Sequence, residues 1–305
     1  MTRDRLTSAT VVVVAICGAR YLARCLDALV AQRESPLFDV VVAYDPELAD
    51  VPSLTRRYPC VRLAATDGAR TPPELAARAI QAATGDVVLL TEDHCEPCPD
   101  WVRHLVENQA PDRGAVGGTV EPRPAASLVD WAFCYADFFR FAPPVAPGPS
   151  RALTVCNVAY RRTDLDAIAP IWQRGFLETE VNDALARRVG PLWLVPAARV
   201  RIWRHVSLFG GARERYALGR LFAAARVAGT HRRRRLFWAA FAPGLPPLLL
   251  MRMAAKALTA RPLLGRFLRA LPALTLFTLC WSWGEWLGYV TRRGPRVLAI
   301  ARDAW

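Results

Sequence analysis

The first seven residues, Met1 to Thr7, contain no apolar core of the kind that a secretory signal peptide needs. We therefore expect the folded chain on the cytosolic side of a membrane, where disulfides are uncommon, and its eight cysteines reduced. Cys95 and Cys98 form a Cys-x-x-Cys pair, but no second pair matches it. A four-ligand structural zinc site is therefore not predicted.

Acidic residues are scarce in the last third of the 305-residue chain. Residues 199–305 contain three of them against 19 Arg and one Lys, a net charge of +17, whereas residues 1–198 carry −4. Hydrophobic residues make up 53% of the chain, which is high for a soluble domain. A basic and apolar segment is typical of binding to an anionic membrane surface, and a solvated basic face is the alternative. No nucleic-acid-binding module is recognisable, so nucleic acid is not an expected partner.

Residues 1–230 alternate between strand and helix signals. Continuous aliphatic runs predict buried strands, and apolar residues at three- and four-residue spacing predict amphipathic helices. Thr71, Pro72 and Glu74 together form a strong helix start. This alternation predicts an α/β fold with a mostly parallel twisted sheet flanked by helices. The predicted strands are 11–16, 40–43, 61–64, 87–90, 115–120, 153–160, 192–195 and 200–203.

The segment between the strands at 115–120 and 153–160 is rich in proline and aromatic residues. We predict that residues 122–151 are irregular, with most of the aromatic side chains serving as hydrophobic packing. An acceptor pocket is the alternative.

The stretch from Val87 to Pro97 carries the strongest chemical signal. Four aliphatic residues run directly into Glu92, Asp93 and His94, and a turn follows. Open α/β sheets bind ligands at the carboxyl ends of their strands. A hard cation such as Mg²⁺ takes one or two carboxylates together with substrate phosphates. These three residues are therefore candidate ligands of a divalent cation, and a solvated acidic turn is the alternative.

Two neighbouring strands are predicted to end at the same edge of the sheet. The first ends at Cys17-Gly18 and the second at Asp45, so a crevice of nucleotide size is expected there. Asp45 precedes a proline, and its alternative role is to form a turn.

A later helix is predicted to begin with Glu178 and Glu180. Carboxylates are favoured at a helix N-terminus by the helix dipole. Either carboxylate is also a candidate general base, able to take a proton from a hydroxyl group.

In their order along the chain, these features resemble the family 2 glycosyltransferases with the GT-A fold. The resemblance covers about residues 10–226. Thr91-Glu92-Asp93-His94 stands where that family has its Asp-X-Asp motif. The other matching features are the first strand with its turn, Asp45, Pro97, Gly117-Gly118, Asn157 to Arg162, the Glu178–Gly190 helix and His205.

The resemblance implies a nucleotide-diphosphate sugar as donor and Mg²⁺ or Mn²⁺ as cofactor. The implied donor-binding residues are Cys17, Asp45, Glu92, Asp93 and Asn157. The implied metal-binding residues are Glu92, Asp93, His94 and His205. Glu178 or Glu180 would deprotonate the acceptor hydroxyl, and attack in line with the leaving group would invert the anomeric carbon.

The chain departs from the family pattern in three places. Glu-Asp-His replaces Asp-X-Asp, and Thr179 stands where an Asp usually follows the helix Glu. The Gln-x-x-Arg-Trp motif of processive synthases does not occur, so we expect transfer of one sugar at a time. Thr179 leaves open a membrane-anchored scaffold that kept the fold and lost the activity. A nucleotidyltransferase is a third possibility, but it would need a glycine-rich, basic phosphate loop after the first strand, and this sequence does not have one there.

Residues 231–305 are predicted to form a second, membrane-associating helical region. Arg232 to Arg235 precede one apolar stretch interrupted by prolines, and a second stretch, 270–290, is long enough to span a bilayer. Five basic residues lie between them, which conflicts with two clean spans. We therefore favour a re-entrant or interfacial apolar hairpin over two spans, on the cytoplasmic face of the cell membrane, with a lipid-linked or membrane-proximal acceptor. A soluble buried hairpin or a dimer interface is the alternative.

Overall fold

The computed structural model describes residues 8–64, 71–227 and 229–294. Within them, the strands are β1 (Ala9–Ala15), β2 (Phe38–Tyr44), β3 (Val61–Ala64), β4 (Val87–Glu92), β5 (Cys95–Pro97), β6 (Ala115–Pro122), β7 (Gly148–Ser150), β8 (Val158–Arg161) and β9 (Leu192–Ile202). The helices are α1 (Ala19–Val30), α2 (Pro72–Ala82), α3 (Trp101–Glu107), α4 (Leu128–Phe138), α5 (Arg162–Asp166), α6 (Ala169–Trp172), α7 (Glu178–Arg188), α8 (Leu208–Arg226), α9 (Arg232–Phe241), α10 (Leu245–Thr259) and α11 (Arg261–Thr291).

All nine strands belong to one mixed sheet, in the order β3-β2-β1-β4-β8-β6-β9-β5, with β7 added on β9. The first four strands in this order are parallel to one another. Strand β8 then pairs antiparallel with both β4 and β6. Every residue of β1 is buried, because the strand lies between β2 and β4 and consists almost entirely of β-branched and alanine side chains. The predicted sheet flanked by helices is confirmed.

Strand β9 joins two segments that were predicted as separate strands, 192–195 and 200–203. Pro196, which cannot donate to a sheet ladder, lies between the two predicted segments. In the structure the residues before it pair with β7 and Val200–Ile202 pair with β5. The proline therefore lies between two ladders, and the strand continues through it.

The prediction that residues 122–151 are irregular is wrong. Helix α4 occupies 128–138 and begins with a capping box, in which Ser127 accepts from the Asp130 backbone N–H and Asp130 accepts from that of Ser127. This pair satisfies two of the donors that a helix N-terminus leaves unpaired. The aromatic residues of the segment are therefore largely helical, and Trp131 stacks on Tyr135 at a centroid distance of 4.5 Å.

The chain divides into two compact units. One comprises Met1–Glu121 and Phe141–Trp203 and contains the sheet. The other comprises Pro122–Arg140 and Arg204–Trp305 and is helical in its described residues. The boundary predicted at residue 230 stays a prediction. The predicted C-terminal apolar helices are confirmed: the segments Arg232–Thr259 and Arg261–Thr291 are long and apolar enough to cross a membrane, judged by length and composition only.

Candidate active site

The candidate site begins where β4 ends. The Asp93 backbone N–H donates to Val14 on β1, which extends the pairing by one residue beyond the strand. Glu92 is the last residue of β4, and Asp93 and His94 form the turn that follows it.

Glu92 and His94 approach each other closely. Oε2 of Glu92 lies 3.4 Å from Nε2 of His94, whose side chain is only 5% exposed. A carboxylate oxygen and an imidazole nitrogen at this separation can bind one cation with bonds of about 2.1 Å. These two side chains therefore fit a divalent metal such as Mn²⁺ or Mg²⁺.

The other ring nitrogen of His94 faces Asp93. Nδ1 lies 3.4 Å from Oδ1 of Asp93. A proton on Nδ1, assigned from this contact, leaves the lone pair of Nε2 available to a cation. Metal-binding histidines commonly have such a carboxylate behind them, because it fixes the tautomer and the orientation of the ring.

Asp93 also organises the backbone beneath the site. Its Oδ2 accepts the backbone N–H groups of Ile16, at 2.9 Å, and of Cys17, at 2.6 Å. The carboxylate is buried and ties the end of β1 to the end of β4. This geometry favours a positioning role for Asp93, and its predicted direct contact with a metal or donor stays a prediction.

Thiols surround the imidazole. Sγ of Cys17 lies 3.8 Å from Nδ1 of His94. The possible ligand atoms of Glu92, His94 and Cys95 lie within 4.8 Å of one another, as do those of Cys17, Asp93 and His94. Cys95 was not predicted as a ligand, although its position directly after His94 was the signal for it.

This environment changes the protonation of the imidazole. Burial lowers the pKa of His94, but negative charge at Cys95 and Cys17 and the hydrogen bond to Asp93 outweigh it and raise the pKa well above its ordinary value. A cation at Nε2 must therefore compete with a proton.

Asp45 follows β2 at the same edge of the sheet. The preceding residue, Tyr44, pairs with Ala15 of β1, so the chain leaves both strands side by side. Asp45 is half-buried, and its Oδ1 accepts the backbone N–H of Glu47 at 3.0 Å. The predicted turn is present, and its position at the edge is compatible with the predicted donor contact.

Asn157 directly precedes β8 and is fully buried. Its Oδ1 accepts from Trp101 Nε1 at 2.8 Å, and its Nδ2 donates to the carbonyls of Thr119 and Ala198 at 2.8 and 2.9 Å. A Cβ at Gly118 would lie 1.7 Å from the Ala198 carbonyl oxygen, so only glycine fits there. These contacts favour a supporting role for Asn157, and a direct contact with the donor stays a prediction.

The two candidate bases differ in their surroundings. Glu178 is half-buried at the start of α7, and Oε2 accepts the backbone N–H of Val155 at 2.6 Å. Cys156, the residue after Val155, accepts a hydrogen bond at its backbone carbonyl from Thr91 Oγ1 at 3.0 Å. Thr91 directly precedes Glu92. Glu180 is exposed. The geometry therefore favours Glu178 over Glu180.

His205 belongs to the helical unit. Its Nδ1 lies 3.0 Å from Arg123 Nη2 and 3.6 Å from Asp130 Oδ2, and its side chain is 70% exposed. Its contact with a metal therefore stays a prediction. Asp130, which sequence reasoning did not select, also accepts the Val206 backbone N–H at 2.8 Å. Its signal was the capping pattern beginning at Ser127.

Comparisons with known proteins identify the family and the fold. The sequence model described as Glycosyl transferase family 2 matches residues 10–168. No curated protein matches the chain. A solved structure of the mannosyltransferase PcManGT from Pyrobaculum calidifontis, in complex with GDP-Man and Mn²⁺, aligns over 91% of this chain and 86% of that one, with a TM-score of 0.56 and 18% identity.

A second solved structure, GalNAc-T7 with UDP, GalNAc and Mn²⁺, aligns over 66% of this chain with a TM-score of 0.50 and 15% identity. This chain spans only 44% of the length of that protein. At these identities the likeness concerns the fold, and it confirms the predicted GT-A architecture.

Proposed function

This chain belongs to glycosyl transferase family 2, and from that premise we propose that it moves a single sugar from a nucleotide-diphosphate sugar to an acceptor hydroxyl, with inversion at the anomeric carbon. The observation that carries the proposal is the Glu92–His94 pair, with Nε2 and Oε2 3.4 Å apart at the carboxyl end of a parallel strand. Ligands bind at this position in open α/β sheets.

Glu92 and His94 hold Mn²⁺ or Mg²⁺ in this proposal, and Asp93 orients the imidazole from behind. When bound, the cation neutralises charge that develops on the departing diphosphate. The solved structures of PcManGT and GalNAc-T7 contain Mn²⁺ with GDP-Man and with UDP, which supports the same pairing of metal and nucleotide here.

Donor recognition is assigned to the strand ends around the metal pair. Asp45, at the end of β2, contacts the base or ribose, and the backbone at Cys17 lies at the end of β1 beside His94. Asp93, which follows β4, accepts the Cys17 N–H and so holds the end of β1 at a fixed distance from the end of β4. A preorganised edge of this kind loses little conformational freedom when the nucleotide binds.

Glu178 acts as the general base in this proposal. The Val155 N–H fixes one carboxylate oxygen, which orients the group. The carboxylate takes the proton of the acceptor hydroxyl. The hydroxyl oxygen of the acceptor meanwhile attacks the anomeric carbon from the side opposite the diphosphate. Glu180 is the secondary candidate because it lies in the first turn of the same helix, directly after Thr179.

The acceptor is assigned as lipid-linked or membrane-proximal, with the protein on the cytoplasmic face. The support is the composition of the C-terminal helices, which combine two long apolar segments with Arg-rich flanks. Such segments bind anionic membrane surfaces.

The direct test is calorimetric binding of UDP and of GDP with Mn²⁺, with Mg²⁺ and with EDTA, followed by hydrolysis of UDP- and GDP-sugars. We expect one nucleotide to bind in a cation-dependent manner. If neither nucleotide binds under any of these conditions, the proposed function is wrong. Cation-dependent binding without hydrolysis or transfer to any hydroxyl acceptor would instead favour the non-catalytic scaffold.

A further inference from the structure

The outward face of α11 is apolar along most of its length. Leu268, Leu271, Leu279, Trp283 and Val290 are 37 to 61% exposed, and their spacing places them on one side of the helix. From position 268 to 290 this stripe extends about 33 Å at 1.5 Å per residue. Its length matches a hydrocarbon core of about 30 Å, so length by itself does not distinguish a helix that crosses a bilayer from one that lies on it.

The opposite face of α11 packs against α4 in its first half. Phe267 meets Tyr135 edge-on at a centroid distance of 6.2 Å, and Phe277 meets Phe133 at 5.7 Å. Phe267 and Phe277 are buried. This half of α11 is therefore fixed to another helix of the same unit.

The second half of α11 packs against α8 at backbone distance. A Cβ at Gly219 would lie 2.3 Å from the Trp281 carbonyl oxygen, and one at Gly284 would lie 2.0 Å from that of Tyr216. Gly288 approaches α8 in the same way and stands four residues after Gly284. Such small-residue contacts let two helices touch along their backbones. Wherever α11 lies, α8 therefore lies beside it.

Charged side chains are built into this packing. Arg215 is buried and donates to Asp137 and to the Phe133 carbonyl. Arg204 and Glu214 form a buried two-bond ion pair at 2.7 and 3.0 Å.

Arg213 on α8 is exposed, whereas Arg226 of the same helix donates to the Tyr289 hydroxyl of α11 at 2.9 Å and lies 4.0 Å from Glu285. If α11 crossed the bilayer, α4 and α8 would enter the hydrocarbon with it, and the exposed Arg213 of α8 would face the lipid. Charged side chains at that depth are costly unless they face a protein interior or a water-filled cavity.

A helix parallel to the surface avoids this cost. Its apolar stripe faces the acyl chains, and α4 and α8 stay on the aqueous side. Exposed arginines on α10 (Arg252) and α11 (Arg261, Arg266 and Arg269) complement anionic headgroups, and their apolar stems can lie along the boundary.

We infer that α9–α11 bind one leaflet of an anionic bilayer from the cytoplasmic side, with α11 in the plane of the interface and no segment crossing. This inference rests on the membrane association in the proposed function. It adds that the helices lie in the interface and do not cross the bilayer.

The association is tested by flotation of the full chain with vesicles of phosphatidylcholine, alone or mixed with phosphatidylglycerol. We expect flotation with the mixed vesicles that weakens with salt and is reduced in the double variant Leu279→Ser, Trp283→Ser. The matched control is Leu37→Ser, because Leu37 is an exposed apolar residue of the sheet unit. If the wild type does not float and is instead a dimer that the double variant dissociates, the stripe joins two copies and the inference fails.

The mode is tested by labelling two positions with a membrane-impermeant maleimide. Thr259 ends α10 and Thr291 ends α11, and both are exposed. Each is changed to Cys in a Cys60→Ser background and placed in sealed vesicles with the sheet unit outward. Labelling of the exposed native Cys60 in the parent chain verifies that orientation.

The in-plane arrangement predicts that both new cysteines are labelled from outside. Two crossings would protect position 259 only, and one crossing by α11 would protect position 291 only. Either protected pattern overturns the inference while leaving membrane association intact. Cation-dependent UDP or GDP binding, measured on the same preparations, reports separately on the transferase proposal.

Discussion

Glu178 and Val155 are joined by a 2.6 Å hydrogen bond from the backbone N–H of Val155 to Oε2 of the carboxylate. The bond places the carboxylate over the segment that leads into β8, next to the strand that carries Glu92. A single carboxylate held in this way can be changed without removing its structural contact, because a glutamine oxygen accepts the same hydrogen bond.

Glu178→Gln is expected to reduce kcat by roughly 10²- to 10⁴-fold, the usual contribution of a placed general base. Thermal stability and nucleotide affinity should change little, since the Val155 contact is kept. Steady-state transfer to a hydroxyl acceptor measures the effect, and Glu180→Gln is the matched control. If the Glu180 variant is the inactive one, the two roles are reversed, and if both keep full activity neither residue is the base.

Glu92→Gln is expected to lower the affinity for the nucleoside diphosphate in Mn²⁺ to the value measured in EDTA. The reason is that an amide oxygen lacks the negative charge that the Glu92 carboxylate contributes beside His94. Calorimetry with and without the metal measures this. Glu107→Gln, an exposed change at the end of α3, serves as control. An affinity that stays metal-dependent in Glu92→Gln would place the cation elsewhere.

Asp93→Ala is expected to destabilise the sheet unit, because the N–H groups of Ile16 and Cys17 lose their shared acceptor. A donor left without a partner away from water costs about 1 to 3 kcal/mol. Urea denaturation measures the loss. Asp93→Asn keeps an acceptor oxygen and should recover most of the stability. A fully stable Asp93→Ala would show that the two backbone groups do not depend on this carboxylate.

Stability should fall at high pH because of Tyr58. Its hydroxyl lies 2.6 Å from Asp27 Oδ1, and burial, followed by this hydrogen bond, raises the pKa of Tyr58 to about 12 from its ordinary 10.0. Since the folded-state pKa is the higher one, the contribution is complete below about pH 10 and is lost as the pH rises towards 12.

The free energy of unfolding should therefore decline across that window by less in Tyr58→Phe than in the wild type. Urea titrations on both sides of the window measure the difference. Parallel declines in the two proteins would contradict the assignment.

The parallel half of the sheet could be predicted because its signals are local. The valine run of β1, the aliphatic run of β4 and the cap at Thr71 each depend on a few neighbouring residues. The position of Glu92 at the carboxyl edge of the sheet could also be predicted, because neighbouring parallel strands end at the same edge. The helix at 128–138 was missed because prolines and aromatics nearby outweighed the short capping signal at Ser127.

The separate roles within Glu92-Asp93-His94 could not be predicted from their types. All three are possible ligands, and only the pairing of β4 with β1 directs Asp93 to the backbone of Ile16 and Cys17. The same holds for Asn157, whose three partners come from segments 38 to 56 residues away. Hydrogen-bond partners this distant in the chain are set by packing.

By itself, the sequence determined the α/β sheet, the family, the position of the candidate metal-binding turn and the basic, apolar character of the last third, because periodicity, composition and motif order are properties of the chain. Only the tertiary structure decided which carboxylate faces His94 from behind, which glutamate is anchored, and that α11 is joined to the charged helix α8. Those outcomes depend on register and on close backbone contact, which no single segment encodes.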